Sequence, residues 1–244
     1  MKNYFLVLTL ATAFSVTAQH KTLPGFDYGN PAAPTGDEWQ SPENLSLNKE
    51  YPRAYFFSFN NEKQATQVLP EYSPYWQSLN GQWAFHWCKT PDQRPKDFYK
   101  TDYDTSKWDA IPVPSNWNVY GIQKDGSLKY GLPIYVNQPV IFYHERKVDD
   151  WRKGVMRTPP TDWTTYEYRN EVGSYVREFE VPNNWEGREI FIDFDGVDSF
   201  FYLWINGKYV GFSKNSRNVA SFDITPYLQK GKNKVSVEVY RNSD

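Results

Sequence analysis

The sequence predicts an all-β protein, an antiparallel β-sandwich in which a jelly roll is the first choice among topologies. One observation is a set of short segments in which apolar and polar residues alternate, as in half-buried strands. A second is the turn residues that separate these segments. A third is the lack of any amphipathic helical pattern of ten or more residues. Aromatic residues make up 18% of the 244 residues, which is enough to fill a core.

The alternation is clearest after the turn at Asn80-Gly81, where Trp83, Phe85 and Trp87 alternate with polar or small residues. Asn206-Gly207 separates two other segments predicted as strands and favours a two-residue hairpin turn, because both positions tolerate positive φ. The segments predicted as strands are residues 82–87, 174–181, 190–194, 200–205, 208–212 and 234–240.

The chain divides by composition into three parts. Residues 1–18 resemble a signal peptide, with Lys2, an apolar core over 5–16 and small residues up to Ala18, so we expect export to the periplasm or the outside of the cell. Residues 19–64 are proline-rich and predict an extended arm, anchored by burial of the aromatic residues within 55–59. Residues 65–244 predict the jelly-roll domain, with a long surface excursion over 143–172 and a C-terminus at which a longer polypeptide is cut.

Charge and hydropathy exclude several classes of partner. The formal net charge is −2 and the sequence has no lysine or arginine run, so a nucleic-acid partner is not expected. The mean hydropathy of −0.75 excludes a membrane-embedded fold once the signal peptide is removed. The single cysteine, Cys88, excludes an intrachain disulfide, so stability must come from a packed core.

Local chemistry in the sequence is sparse. His20, His86 and His144 lie far apart, which argues against a metal site, and we interpret His86 as a hydrogen-bonded or solvent-facing strand residue. Cys88 has no identifiable base beside it and is expected to be an inert buried thiol. Neighbouring carboxylates are candidates for glycoside hydrolysis by proximity only, and a position on the solvent side of a strand and its turn is the favoured interpretation. They are Asp193, Asp195 and Asp198.

Stretches in a fixed order give a more specific signal. They are residues 77–85 (QSLNGQWAF), 111–117 (IPVPSNW), 133–137 (PIYVN), 194–199 (FDGVDS), 203–211 (LWINGKYVG), 216–217 (SR) and 222–224 (FDI). Together they resemble the N-terminal part of family 2 glycoside hydrolases, specifically β-galactosidases of the large multidomain type. The resemblance implies a jelly roll of the galactose-binding-domain-like kind.

The resemblance also implies where the chemistry lies. The family's jelly roll reaches the active site through an asparagine that falls on Asn137, whose amide offers two donors and an acceptor to the hydroxyls of a β-galactoside substrate. An immunoglobulin-like domain and a (β/α)8 barrel with both catalytic glutamates would follow outside this chain. The ligands of the implied Mg²⁺ would lie in that barrel, and a carboxylate that helps hold the implied Na⁺ would come shortly after the segment that matches residues 241–244. No catalytic residue, metal site or cofactor is therefore assigned here.

Some alternatives remain open. From its neighbours alone, Asn137 is typical of a turn or cap residue. Residues 169–175 (RNEVGSY) replace the family's more usual Asn-Pro-x-Gly-x-Tyr, and the stretch between Asn137 and Gly173 is longer than the usual pattern. The other functions considered are a free-standing carbohydrate-binding module, an assembly domain of a homo-oligomer, and another family 2 enzyme such as a β-glucuronidase or β-mannosidase.

Overall fold

The computed structural model describes residues 32–54, 56–133 and 170–243. The strands are β1 (Ser46–Leu47), β2 (Gly81–Cys88), β3 (Asp109–Val113), β4 (Val172–Glu180), β5 (Phe191–Phe194), β6 (Phe200–Ile205), β7 (Lys208–Ser213), β8 (Ala220–Asp223) and β9 (Lys232–Tyr240). The α-helices of these ranges are α1 (Glu62–Ala65) and α2 (Trp117–Tyr120), and single 3-10 turns cover Glu38–Gln40, Pro70–Tyr72, Pro91–Gln93, Asn183–Trp185 and Thr225–Tyr227. Because these helices have at most four residues, none of them could span a bilayer.

The strands form two antiparallel sheets, as an all-β sandwich requires. The larger sheet has the order β1-β7-β6-β9-β4-β2-β3, and β5 pairs with β8 in a second, two-stranded sheet. The predicted strands are confirmed, with ends that differ by one or two residues. Strands β1, β3 and β8 were not predicted. β1 has only two residues, and β3 contains Pro112, a residue type that argues against a strand.

The hairpin between β6 and β7 confirms the predicted turn. Asn206 and Gly207 have φ of 51° and 78°, and both values are positive, as a type I′ turn requires. The Asn206 side chain also donates to the carbonyl oxygen of Tyr227 at 2.9 Å and accepts from the Lys234 backbone N–H at 2.8 Å. The turn is therefore tied to the start of β9.

Both faces of the large sheet are covered by apolar groups. Every residue of β6 is buried, and alternate side chains enter different cores. Phe201, Leu203 and Ile205 face the core shared with β5 and β8. Phe200, Tyr202 and Trp204 face a second core on the other side of the sheet. This two-sided burial explains why β6 reads as a continuous apolar run.

The arm closes the second core. Strand β1 pairs with β7 and buries Leu47, while Trp39 is 3% exposed and stacks on Tyr240 with ring centroids 5.3 Å apart. The Glu38 carboxylate accepts from the Tyr202 hydroxyl at 2.5 Å and from the backbone N–H of Thr35 at 2.8 Å. Residues 38–47 of the arm are thus part of the sandwich.

The predicted anchor within residues 55–59 is wrong. Phe56 is 68% exposed, Phe57 and Phe59 are only half-buried, and Tyr55 lies outside the described residues. The reason is that this part of the arm borders an open groove and not a closed core. Trp39 and the β1 strand are the anchor instead.

The predicted surface excursion over 143–172 ends earlier than expected. Asn170, Glu171 and Val172 are buried, with exposures of 0%, 1% and 0%, and Val172 begins β4. Their side chains and backbone pair with the end of β9, which sequence periodicity does not show. Residues 143–169 of that excursion lie outside the described residues, as do the signal segment and Asn137.

Candidate functional site

A groove of about 1380 Å³ lies between the large sheet and β5. Segments that are distant in the sequence border it, and they include most of the stretches on which the family resemblance depends. From those stretches and the chain end, the groove is lined by residues 77–80, 113–119, 133, 194–199, 217 and 241–243. The fold therefore brings these stretches to one surface.

An aromatic cluster lies beside β2 and β4, and its members Trp117 and Tyr175 line the groove. Trp117 packs directly on Gly173, where an added Cβ would lie 2.8 Å from the indole ring and 2.9 Å from the ring of Phe85. Phe85 also contacts Tyr175 at 4.7 Å and Tyr130 at 5.1 Å between ring centroids. Gly173 therefore permits the close approach of α2 to β4.

Helix α2 positions two polar side chains at the same place. The Asn116 side chain caps the helix by accepting from the backbone N–H groups of Asn118 and Val119 at 3.0 and 3.3 Å. This start of the helix directs Trp117 and Asn118 inward, where they are 7% and 5% exposed. Both then donate to the Glu171 carboxylate.

Glu171 is the centre of a buried polar network. Its Oε2 accepts from the Arg241 guanidinium at 2.8 Å, from Asn118 Nδ2 at 3.0 Å and from Trp117 Nε1 at 3.4 Å. No donor from the described residues reaches Oε1. That oxygen packs against Gly131, where an added Cβ would lie only 2.1 Å away.

Arg241 extends this network to the groove edge. A second guanidinium nitrogen donates to the carbonyl oxygen of Leu132 at 2.8 Å, and the backbone N–H of Arg241 donates to the Glu171 carbonyl at 3.0 Å. Beside it, Asn170 and Asn242 exchange two hydrogen bonds at 2.8 and 2.9 Å. We call Glu171, Arg241 and the Leu132 carbonyl the clasp.

Sequence reasoning noted the altered stretch 169–175 but assigned no role to Glu171. The signal was a glutamate at a position where the usual pattern has proline. A carboxylate needs a cationic or hydrogen-bonding partner when buried, but the sequence could not identify Arg241 as that partner.

The described part of the chain leaves the proposed contact of Asn137 untested. The chain runs from Pro133, which lines the groove, towards Asn137, and the asparagine itself lies outside the described residues.

The carboxylates of β5 and the following turn lie where the favoured interpretation put them. Asp193, Asp195 and Asp198 are exposed along the groove. Asp193 lies 3.8 Å from an Arg53 nitrogen, and Asp198 lies 3.8 Å from an Arg217 nitrogen. Such exposed ion pairs contribute little to stability.

The interpretation of His86 as hydrogen-bonded or solvent-facing is wrong at Nδ1. That atom is buried with no hydrogen-bond partner among the described residues, and the ring lies 5.3 Å from the ring of Trp108. Burial lowers the pKa of His86, while the Asp109 carboxylate acts in the opposite direction. A neutral ring packed on tryptophan avoids the cost of burying a charge.

Cys88 is a buried thiol, as predicted. It contacts the carbonyl oxygens of Thr90 at 3.3 Å and Val172 at 3.6 Å, and burial raises its pKa to about 12. No three His, Cys, Asp or Glu side chains within the described ranges could together hold a metal ion.

The chain is similar to proteins of a known family. The family model "Glycosyl hydrolases family 2, sugar binding domain" matches residues 76–244. A β-galactosidase from Priestia megaterium is 38% identical over 224 residues, which are 92% of this chain and 20% of that protein. A β-galactosidase from Halalkalibacterium halodurans is 41% identical over 168 residues, which are 68% of this chain and 14% of that protein.

Among solved structures, the β-glucuronidase of Bacteroides uniformis is similar to 68% of this chain and 14% of its own chain, with 21% identity and a TM-score of 0.44. The chain thus spans a fifth or less of the length of the two β-galactosidases it matches. The match over residues 76–244 shows that the chain belongs to glycosyl hydrolase family 2 and carries the sugar-binding domain of that family.

Proposed function

We propose that this chain is the N-terminal portion of an exported β-galactosidase, where it positions the terminal galactose of the substrate and supplies no acid or nucleophile. The observation that carries the proposal is the convergence of most of the family's stretches, from residue 77 to residue 224, on one groove. The β-galactosidase names of its relatives favour a galactoside over other glycosides.

The chemistry of the groove suits a neutral, polyhydroxylated ligand. Aromatic side chains offer flat apolar faces to the C–H side of a sugar ring, and amides and carboxylates offer donors and acceptors to its hydroxyls. Positioning of this kind contributes to rate because it holds the reacting bond in place for groups elsewhere in the enzyme.

In this proposal the amide that meets the sugar is that of Asn137. The catalytic glutamates and the ligands of the implied Mg²⁺ belong to the barrel of the parent enzyme, and the carboxylate that helps hold the implied Na⁺ would come shortly after residue 244.

The test is Asn137→Ala in the full-length enzyme. We expect kcat/KM for a β-galactoside to fall by at least ~10-fold, since a hydrogen bond to substrate is lost and the ring is less well placed. Asn184→Ala is the matched control, because Asn184 is an exposed asparagine that does not itself line the groove. Unchanged kinetics for Asn137→Ala would contradict the assignment.

Two further measurements separate the alternatives. Comparing kcat/KM for aryl β-galactoside, β-glucuronide and β-mannoside substrates tests the choice within the family. Calorimetry of residues 19–244 with galactosides tests a free-standing binding module, which would bind measurably without the rest of the enzyme. A shift in size-exclusion elution when the arm is removed would favour a role in assembly of a homo-oligomer.

Export is proposed from the N-terminal segment. N-terminal sequencing of the protein recovered outside the cytoplasm should find Gln19 as the first residue. Recovery of an intact Met1 from the cytoplasm would contradict export.

A further inference from the structure

We infer that Arg241 and Glu171 are positioning residues, which hold the edge of the groove at Leu132 and Pro133 in the arrangement that substrate requires. The inference rests on the proposed function, because it concerns how the sugar-binding groove is shaped. It assigns a role to Glu171 and Arg241, which lie outside every stretch on which the family resemblance depends.

The clasp joins the paired ends of β4 and β9 to the chain segment at Leu132. Arg241 uses separate nitrogens to reach the Glu171 carboxylate and the Leu132 carbonyl, each at 2.8 Å. Leu132 is 57% exposed, so side-chain burial does little to fix this backbone. The hydrogen bond from Arg241 is therefore a main restraint on the segment that leads to Pro133 at the groove.

Glu171 makes this restraint rigid. Its side chain is 1% exposed, and that of Arg241 is 16% exposed, so water competes little for the pair. Gly131 fits against the carboxylate with no room for a Cβ and has φ of 74°, a conformation that favours glycine. The Tyr130 carbonyl accepts from Asn118, which also donates to Glu171. Tyr130 and Gly131, just before Leu132 and Pro133, are thus fixed by Asn118 and by the Glu171 carboxylate.

Lysine cannot replace the arginine in this role. The guanidinium presents several donors in a fixed planar fork, whereas an ammonium group is a single point on a flexible stem. Arg241→Lys keeps a positive charge beside Glu171 but cannot hold both oxygen atoms in the same geometry. The variant therefore tests the bridge to Leu132 more directly than removal of the charge would.

The chain contains a matched control on the opposite side of the sheet. Arg94 also bridges a buried glutamate and a backbone carbonyl, donating to Glu238 at 3.1 Å and to the Pro91 oxygen at 2.8 Å. The side chains of Arg94 and Glu238 are 21% and 5% exposed, close to the values for the clasp. Neither residue lines the groove.

The experiment compares Arg241→Lys with Arg94→Lys in the full-length enzyme, with kinetic constants normalised to the folded fraction. We expect Arg241→Lys to lower kcat/KM for a β-galactoside on the order of 10²-fold, the effect of a misplacement of about 1 Å. Arg94→Lys should leave the normalised constants within about twofold. Arg94 does not line the groove, so its replacement should affect the stability of the fold and not the position of the substrate. Equal effects of the two variants on normalised kinetics would overturn the inference.

A double variant separates positioning from general damage. If the clasp acts through the same contact as Asn137, then Arg241→Lys should lower activity little further in an Asn137→Ala background. Where both single variants lose activity, full additivity of the two losses would overturn the inference. If Arg241→Lys does not fold, Glu171→Gln is used in its place, because glutamine keeps the shape of the side chain. Glu238→Gln is then the control.

The outcomes distinguish the inference from the proposed function. Loss of activity in Asn137→Ala with unchanged kinetics in Arg241→Lys rejects the clasp and leaves the proposed function standing. Unchanged kinetics in Asn137→Ala with a selective loss in Arg241→Lys rejects the role of Asn137 and supports the clasp.

Discussion

Replacing Trp39 by alanine should destabilise the whole sandwich, although Trp39 lies in a proline-rich arm well before the family-matched region. Its side chain is 3% exposed and belongs to the second core of the large sheet. It stacks on Tyr240, the last residue of β9, with an interplanar angle of 21°. Truncation would leave a cavity in that core beside Tyr240.

The expected cost follows from the area and the packing. A tryptophan side chain buries about 200 Å² of surface, worth about 5 kcal/mol at ~25 cal/mol per Å². Measured truncations of large buried aromatic residues cost about 3–5 kcal/mol, because the surroundings relax in part. We therefore expect about 4 kcal/mol, a large share of the ~5–15 kcal/mol by which folded domains are stable.

Urea denaturation of residues 19–244, followed by tryptophan fluorescence and circular dichroism, measures this cost. With an m value of about 2–3 kcal/mol per M, the midpoint should fall by about 1.5 M. Phe56→Ala is the control, because Phe56 is 68% exposed and its loss should cost less than about 0.5 kcal/mol. A cost below about 1 kcal/mol for Trp39→Ala, or a larger cost for Phe56→Ala, would refute the assignment of the anchor.

Further predictions concern the buried polar groups. Gly131→Ala should lower the unfolding free energy by at least ~2 kcal/mol in the same urea assay, because its Cβ would lie 2.1 Å from a Glu171 oxygen; a neutral effect would show that the contact yields easily. Cys88 should react with a thiol reagent at pH 8 only as fast as the protein unfolds, because burial raises its pKa to about 12; rapid labelling of the native chain would contradict this. Burial also raises the pKa of Glu238 despite its contact with Arg94, so the folded chain keeps a proton there that the unfolded chain has released. Its contribution to the unfolding free energy should fall as pH rises above 4.5, the ordinary value. Unfolding curves of wild type and Glu238→Gln from pH 4.5 to about 7 should therefore diverge in that direction, and a constant difference would refute the shift.

The sequence was most informative where one face of a strand is buried or a turn has special backbone requirements. Asn206-Gly207 requires positive φ at both positions, so the hairpin between β6 and β7 could be placed to within a residue. The alternation of Trp83 and Phe85 with polar neighbours located β2 for the same reason. Each of these patterns lies within one short segment, so it can be interpreted without knowing which strand pairs with that segment.

The arm was harder to interpret because aromatic composition does not specify what a side chain packs against. Phe56 and Trp39 are both large apolar residues in a proline-rich segment, yet one is 68% exposed and the other 3%. The difference comes from β1, a two-residue strand that pairs with β7 and brings the preceding turn over Tyr240. A strand of two residues carries no periodicity that a sequence could reveal.

The clasp depends on sheet register, which explains both its invisibility in the sequence and its rigidity in the fold. The ladder between β4 and β9 ends at the pair Val172 and Tyr240, so the next residue on each strand is Glu171 or Arg241. The two are 70 positions apart in the chain, and only this register places them side by side. A slip of one residue would turn the carboxylate to the other face of the sheet and leave the guanidinium without its partner. The ladder between β4 and β9 thus builds the core and also sets the position of the groove edge. A change in the pairing of these two strands should therefore displace the backbone at Leu132 first.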